Sequence, residues 1–399
     1  MISPDTRPKA LRTRAEAEAY VASICFKHGP PRRYGLELEW TVHHAEDPAA
    51  ALDPARLRAA LGESAPATVA PDGPARPLPS GCQVTVEPGG QIELSSPAED
   101  SATALFAALS ADFAELGRRC TDAGLVLGEY GLDPYRPARR LLRTPRYAAM
   151  EAAFEPFGGD GKRMMCSTAG VQVCVDMGER DRVERRWECA HAMGPALCAL
   201  FGNTAPGADA VSGRQLVVFG SDPVRMRPAE VGADPALAWA HRVLEAPVMC
   251  VRSLGDRWIP PRPLSFAAWI GGALEPLPTT DDLDYHLSTM FPPVRPHGYL
   301  ELRYIDAQAG SGWLAPALLL IALLGTDAYT ERALEVARPA AGMWLDGART
   351  GLADPVIAQA AAGLVAIGAE AIEHTDIEET VAAQVIEQLQ QRLHTFVAG

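Results

Sequence analysis

The chain has 399 residues, 48% of them hydrophobic and 22% charged, with a net charge of −14. These proportions belong to a folded globular protein and exclude disorder throughout. The acidic balance excludes nucleic acid or an anionic membrane as the main partner, since either needs a basic face. Of the 36 basic residues only Lys9, Lys27 and Lys162 are lysines, so clusters of arginine remain to meet a small anion. Residues 1–24 lack the apolar stretch of a secretory signal. The longest apolar run, residues 313–325, falls short of the roughly 20 residues that span a bilayer. The eight cysteines contain no C-x-x-C pair, so they are expected to be reduced, buried side chains of a cytoplasmic protein rather than zinc ligands or disulfides.

In chain order, a helix is expected over residues 13–28 and a strand over 34–42. A Pro- and Ala-rich loop follows at about 47–79, exposed apart from a short helix at 54–61. Strands at 83–86 and 91–95 flank Pro88-Gly89-Gly90. Residues 102–124 carry Leu105, Leu109, Phe113 and Leu116 at helical spacing and end on a glycine. A strand at 170–176, a helix at 181–201, a strand at 216–219, a helix at 235–249 and a strand at 299–305 come next. Nearly everything from 313 to 399 reads as helix. Strands mixed irregularly with helices, without βαβ alternation, give an α+β fold around an antiparallel sheet, read as one domain over 1–399.

Four strands share a feature. Alternation puts Glu37 and Glu39 on one face of Gly35-Leu-Glu-Leu-Glu-Trp40, opposite Leu36, Leu38 and Trp40. Glu87, Gln91, Glu93 and Ser95 share a face if that segment is extended; so do Thr168, Gln172 and Asp176, and so do Glu301 and Arg303. Any one such strand reads most simply as a half-solvated sheet. Four together are rich in glutamate and poor in the threonine and lysine of a washed surface. Five gathered glutamates repel one another unless cations sit between them. Oxygen-only ligands suit Mg²⁺ or Mn²⁺ rather than zinc, an arrangement fit for phosphoryl transfer.

Other nucleotide signatures are missing. Gly158-Gly-Asp-Gly161-Lys162-Arg163 departs from a P-loop at Pro156 and Arg163 and reads as a flexible glycine turn, although Lys162 can still approach a phosphate. His43-His44 reads as a strand-end pair.

Val84-Thr-Val-Glu87-Pro-Gly-Gly-Gln-Ile-Glu93-Leu-Ser-Ser96 closely resembles the signature of plant-type and bacterial glutamate–cysteine ligases. The resemblance extends to Gly35-Leu-Glu37-Leu-Glu39, Met164-Met-Cys-Ser-Thr168-Ala-Gly-Val-Gln172-Val173 and Ala199-Leu-Phe-Gly-Asn203-Thr204. It continues through Leu264-Ser-Phe266 and His286-Leu-Ser-Thr-Met-Phe-Pro-Pro-Val-Arg295 into Tyr299-Leu-Glu301-Leu-Arg303. Length, arginine richness and compact loops look most like the actinobacterial ligases of ergothioneine biosynthesis.

The resemblance implies a glutamine synthetase-like fold, in which a curved antiparallel sheet flanked by helices cups the active site. It implies ATP-dependent ligation of L-glutamate to L-cysteine, with ATP and two or three Mg²⁺ ions (or Mn²⁺) as cofactors. The implied metal ligands are Glu37, Glu39, Glu87, Glu93 and Glu301, with Glu93 and Arg303 catalytic. Arg303 and Lys162 would meet the nucleotide's phosphates. Arg146, Arg214, Met165, Thr168 and Gln172 would bind glutamate. Partners are then small molecules, with neither nucleic acid nor membrane, and a monomer is preferred. Two other readings stand beside this one: a carboxylate–amine ligase of the same fold with another acceptor, and a carbohydrate-active protein using paired glutamates.

Overall fold

The computed structural model describes residues 8–397; the ends of the expected 1–399 unit, residues 1–7 and 398–399, lie outside them. Among the described residues, eight strands form two sheets: β1 (Tyr34–Trp40), β2 (Val42–His44), β3 (Gln83–Val86), β4 (Ile92–Ser95), β5 (Leu125–Leu127), β6 (Gly170–Asp176), β7 (Val294–Pro296) and β8 (Tyr299–Asp306). Six of them make an antiparallel sheet in the order β3-β4-β1-β6-β8-β7, while β2 and β5 pair separately. The expected 34–42 strand therefore breaks at Thr41 and changes sheet. His43 and His44 are buried beyond the break and hold the following segment, His43 Nδ1 at 3.2 Å from Pro48 O and His44 Nε2 at 3.2 Å from Ala51 O.

Register decides what the sheet can do. Residues directly opposite in an antiparallel ladder share a face. Glu39 lies opposite Glu93, Glu93 opposite Thr85, and Glu37 opposite both Ser95 and Gln172. Cys174 lies opposite Glu301, and Glu301 opposite Arg295. One face of the sheet is thereby polar from β3 to β7. The other carries Leu36, Leu38, Trp40, Ile92, Leu94, Val173 and Leu302, all buried.

That apolar face is covered by helices. Ala102–Asp122, capped by Ser101 accepting from Ala104 N, buries Leu105, Leu109 and Leu116 at the expected spacing. Trp40 stacks on Phe113, and Phe106 on Trp313 at the head of the almost wholly buried helix Leu314–Leu323. Helix Pro355–Ile372 is long and apolar enough to cross a bilayer, but half of it is buried inside the fold, as expected of a core helix. All eight cysteines are free, seven buried and Cys174 half-buried.

Besides the break at Thr41 and the division of the expected 181–201 helix into Val183–Ala192 and Gly194–Phe201, three segments differ from expectation. The 47–79 stretch is not simply exposed, since Leu52, Leu57, Leu61, Ala65, Ala70 and Leu78 are buried in the core. Residues 216–219 are not a strand: the β-branched run misled, because Ser212 caps a helix Gly213–Gly220 by accepting from Gln215 N. The glycine turn at 158–162 is instead the start of helix Gly159–Ser167. Gly161 serves close packing there, since a Cβ would stand 2.3 Å from Cβ of Phe154.

Candidate active site

The polar face of the sheet floors a cavity of about 320 Å³. Glu37 and Glu39 reach it from β1 and Glu93 from β4. Glu87 comes from the β3–β4 turn, Gln172 from β6, and Arg295 and Arg303 from β7 and β8. Helices close it: Arg146, Tyr147 and Met150 on Pro145–Phe154, Met164 and Met165 on Gly159–Ser167, Arg214 and Gln215 on Gly213–Gly220. The β3–β4 turn is tightly specified. Gly89 donates from its N–H to Gln91 Oε1 (2.9 Å), and Gln91 Nε2 donates to Met165 O (3.2 Å) and Thr168 O (2.9 Å). A Cβ on Gly89 would stand 2.1 Å from Cys166 O. Gly89→Ala is thus expected to lose about 1–3 kcal/mol through forced backbone displacement, read as a lower urea midpoint; an unchanged midpoint would refute the close approach.

Of the twelve residues expected at the site, ten line this one cavity: Glu37, Glu39, Glu87, Glu93, Arg146, Met165, Thr168, Gln172, Arg214 and Arg303. Two do not. Lys162 points elsewhere, paired with Glu151 at 2.9 Å and outside the lining. Glu301 lies beneath the floor with no exposed surface, gripped by Arg295 (Nη2 to Oε1, 2.8 Å, plus a close Nε contact to Oε2) and by Arg303 (Nη1 to Oε1, 2.8 Å).

From Glu301 a chain of hydrogen bonds crosses the sheet. Arg303 Nη1 also donates to Gln172 Oε1, Gln172 Nε2 donates to Glu39 Oε1 (2.8 Å), and Glu39 Oε2 accepts from Gly170 N (2.8 Å). Glu93 accepts from Thr85 (2.6 Å) and Ser95 (3.3 Å).

Electrostatics split the glutamates into two groups. Burial, then Glu301 and Glu93, push Glu37 up to about 8. Burial, then Glu93 and Glu39, push Glu87 up to about 8. Burial and Glu39 push Glu93 up to about 7. Burial also raises Glu39, against the pull of Arg214 and Arg303. Glu301 is the opposite case: burial acts upward, but Arg295 and Arg303 outweigh it and hold the carboxyl at about 2. One carboxylate is therefore already paired, and the other four face the cavity without an ion pair of their own among the described residues.

The whole chain can be placed by comparison. A sequence profile of glutamate–cysteine ligase family 2 (GCS2) matches residues 33–395. The chain belongs to this family. It is similar to the glutamate–cysteine ligase EgtA of Mycolicibacterium smegmatis, with 37% identity over 400 residues, covering 96% of this chain and 90% of that one. EgtA of Mycobacterium tuberculosis is likewise 37% identical over 369 residues, covering 89% and 83%. The chloroplastic glutamate–cysteine ligase of Medicago truncatula is 26% identical over 267 residues, covering 63% and 52%. Among solved structures, glutamate–cysteine ligase from Francisella tularensis in complex with AMP superposes with a TM-score of 0.50 at 12% identity, covering 92% of this chain and 82% of that one. That likeness speaks for the fold.

Within this ligase-family fold, the donors at the site suit a hard divalent cation, being carboxylate oxygens. Among the described residues, no three acidic, imidazole or thiol side chains converge into a closed metal shell. Three of the five expected ligands are turned to protein partners: Glu301 to two guanidiniums, Glu39 to Gly170 and Gln172, and Glu93 to Thr85 and Ser95. The side chains that sequence reasoning passed over include Arg295, Tyr147, Met150, Gln215, Ser288 and Phe291. For Arg295 the signal was present. His297-Gly298, with Gly298 at φ 78°, turns β7 into β8 and puts residue 295 across from 301. Ser288 holds Arg146, accepting at Oγ and at its carbonyl, both at 2.9 Å.

Proposed function

We propose that the protein joins the γ-carboxylate of L-glutamate to the amine of L-cysteine at the expense of ATP, giving γ-glutamylcysteine, ADP and phosphate. The observation that carries the reading is the buried glutamate group facing Arg146, Arg214, Arg295 and Arg303 across one cavity, in a chain 37% identical to named glutamate–cysteine ligases. A carboxylate is a poor acyl donor, because its leaving group would be oxide. Moving the γ-phosphoryl group of ATP onto it makes an acyl phosphate, from which the amine displaces phosphate.

In this reading Arg303 offers the nitrogens it does not spend on Glu301 and Gln172 to the phosphoryl oxygens as charge develops there, with the Arg295 charge beside it. Arg146, fixed by Ser288, and Arg214 hold the carboxylates of glutamate. Met165, Thr168 and Gln172 floor its pocket. Tyr147, Met150 and Phe291 supply an apolar wall that keeps water from the acyl phosphate. Glu37, Glu39, Glu87 and Glu93 would hold the divalent ions, two or three Mg²⁺ with Mn²⁺ as a substitute; Glu301 would join them on leaving its arginines. Bound there, the metal supplies charge neutralisation and Lewis acidity. The pathway is thiol or ergothioneine biosynthesis, in the cytoplasm, by a monomer.

The test is to incubate the protein with ATP, Mg²⁺, glutamate and a panel of amines, following phosphate release and identifying products by mass. Cysteine is expected to give the highest kcat/KM. A wall of methionine and aromatic side chains reads the thiol by shape, so 2-aminobutyrate should follow at about a 10- to 200-fold disadvantage. Ammonia or a bulky amine outperforming cysteine would instead make this a carboxylate–amine ligase of the same fold with another acceptor. Nucleotide-independent turnover would remove the ligase reading altogether.

A further inference from the structure

A second cavity, of about 440 Å³, lies behind the wall of the first. The wall is one residue thick in two places. Pro88 lines the first cavity and Gly89 the second; Met165 and Thr168 line the first, Cys166 and Ser167 the second. The far side is the segment Arg136-Pro-Ala-Arg139-Arg140-Leu-Leu-Arg143. It is pinned to the turn because Leu141 N and Leu142 N both donate to Pro88 O, at 2.7 and 3.1 Å.

All four arginines of that segment line the second cavity, against one carboxylate, Asp133. Arg136 spends two of its nitrogens on Asp133 Oδ2 (3.1 and 3.0 Å), which neutralises the carboxylate and leaves a guanidinium nitrogen over. Arg140 reaches Glu151 (2.8 Å) and Leu142 O (3.0 Å), and that glutamate is shared with Lys162. Arg139 and Arg143 are without a hydrogen-bond or ion partner among the described residues. In a chain of net charge −14, four cations within eight residues around one concavity are a marked local excess. The opposite wall is apolar, with Ala51, Leu52 and Pro54, and Leu141 adds an apolar side chain from the arginine segment itself. The volume falls in the range of small-molecule sites.

We propose that this cavity binds a small organic anion carrying two or more carboxylate or phosphate groups. Its acid groups take the free forks of Arg139 and Arg143 and the spare nitrogens of Arg136 and Arg140. Its carbon skeleton lies against Leu52 and Leu141. The site is separate from the catalytic cleft and needs neither metal nor the proposed reaction, so its failure and that of the ligase reading are told apart.

The experiment is calorimetric binding of citrate and of inorganic pyrophosphate to the full-length protein without Mg²⁺ or nucleotide, which distinguishes carboxylate from phosphate chemistry. Three variants accompany the wild type: Arg139→Gln/Arg143→Gln, Ala51→Trp to fill the cavity without changing charge, and Arg303→Gln in the cleft. The expected result is saturable binding of at least one probe. It should weaken by about tenfold or more in the double variant, as loss of charge-assisted hydrogen bonds predicts. It should also weaken in Ala51→Trp and be unchanged in Arg303→Gln. Arg139 and Arg143 are exposed and unpaired, so the double variant should keep the wild-type melting temperature and fold. Failure of both probes to bind overturns the proposal, as does binding lost only in Arg303→Gln. Ala51→Trp binding like wild type would mean that the anion meets surface charge alone, which also overturns it.

Discussion

Glu301→Ala is expected to abolish ligation and, unlike the other glutamate variants, to unfold the protein more easily, by about 3–5 kcal/mol. The carboxylate has no exposed surface and is the shared counter-ion of Arg295 and Arg303. Removing it leaves two largely buried guanidiniums facing each other, and the Arg303–Gln172–Glu39 chain loses its anchor. Considered only as one member of a repelling cluster, Glu301 would be dispensable for the fold; its ion pairs reverse that. Chemical denaturation with and without the substitution decides it. Wild-type stability in the variant would mean that the paired arrangement contributes nothing to the folded state.

Glu93→Gln should show the opposite combination. Turnover should fall by about 10³-fold or more, since metal charge stabilisation amounts to several kcal/mol and each 1.4 kcal/mol is tenfold. The metal-free protein should become more stable at alkaline pH. Glu37, Glu87 and Glu93 have carboxyls raised to about 8, 8 and 7 from an ordinary value of 4.5. Groups raised on folding contribute stability that is complete below their unfolded pKa and disappears as pH rises through the folded one. Metal-free stability should therefore decline from pH 6.5 to 8, and Glu93→Gln should flatten that decline. Mg²⁺ would replace the lost protons, so its stabilising increment should be larger at pH 8 than at 6.5. Starting at 6.5 keeps the buried histidines out of the measurement. His191 and His286, held down at about 4 and 3 by burial, lose stability only as pH falls below their ordinary value of 6.5. Melting curves with and without Mg²⁺ at the two pH values, giving the same increment, would sink the uncompensated-carboxylate picture.

The polar sheet face could be foreseen because a strand's two-residue period leaves only two choices for each side chain, and Glu37, Glu39, Glu93 and Gln172 all took the same one. Helix Ala102–Asp122 was equally plain, its apolar stripe and serine cap agreeing. What could not be foreseen depended on tertiary partners. Leu216–Phe219 has the branched, apolar look of a strand, but a capping serine and the need to face Arg214 and Gln215 into the cavity make it helical. Lys162 sits beside a glycine-rich run that suggests a phosphate loop, yet a glutamate eleven residues earlier takes its charge. The state of Glu301 depends on both arginines: the turn at His297-Gly298 signals Arg295 across from it, but the grip of Arg303, which also holds Gln172 on β6, follows only from the assembled sheet.

The buried cysteines bear on how such an enzyme would live with its own acceptor. A protein that handles free cysteine is exposed to cystine and mixed disulfides, and the species that enters such exchange is the thiolate. Burial pushes Cys25, Cys82, Cys166 and Cys189 up to about 12, and burial followed by Glu301 and Glu37 pushes Cys174 well above its ordinary value. Near neutral pH these sulfurs are almost wholly protonated and largely sealed from solvent. The scaffold's own thiols are thereby poorly disposed to exchange with disulfides that reach the cleft.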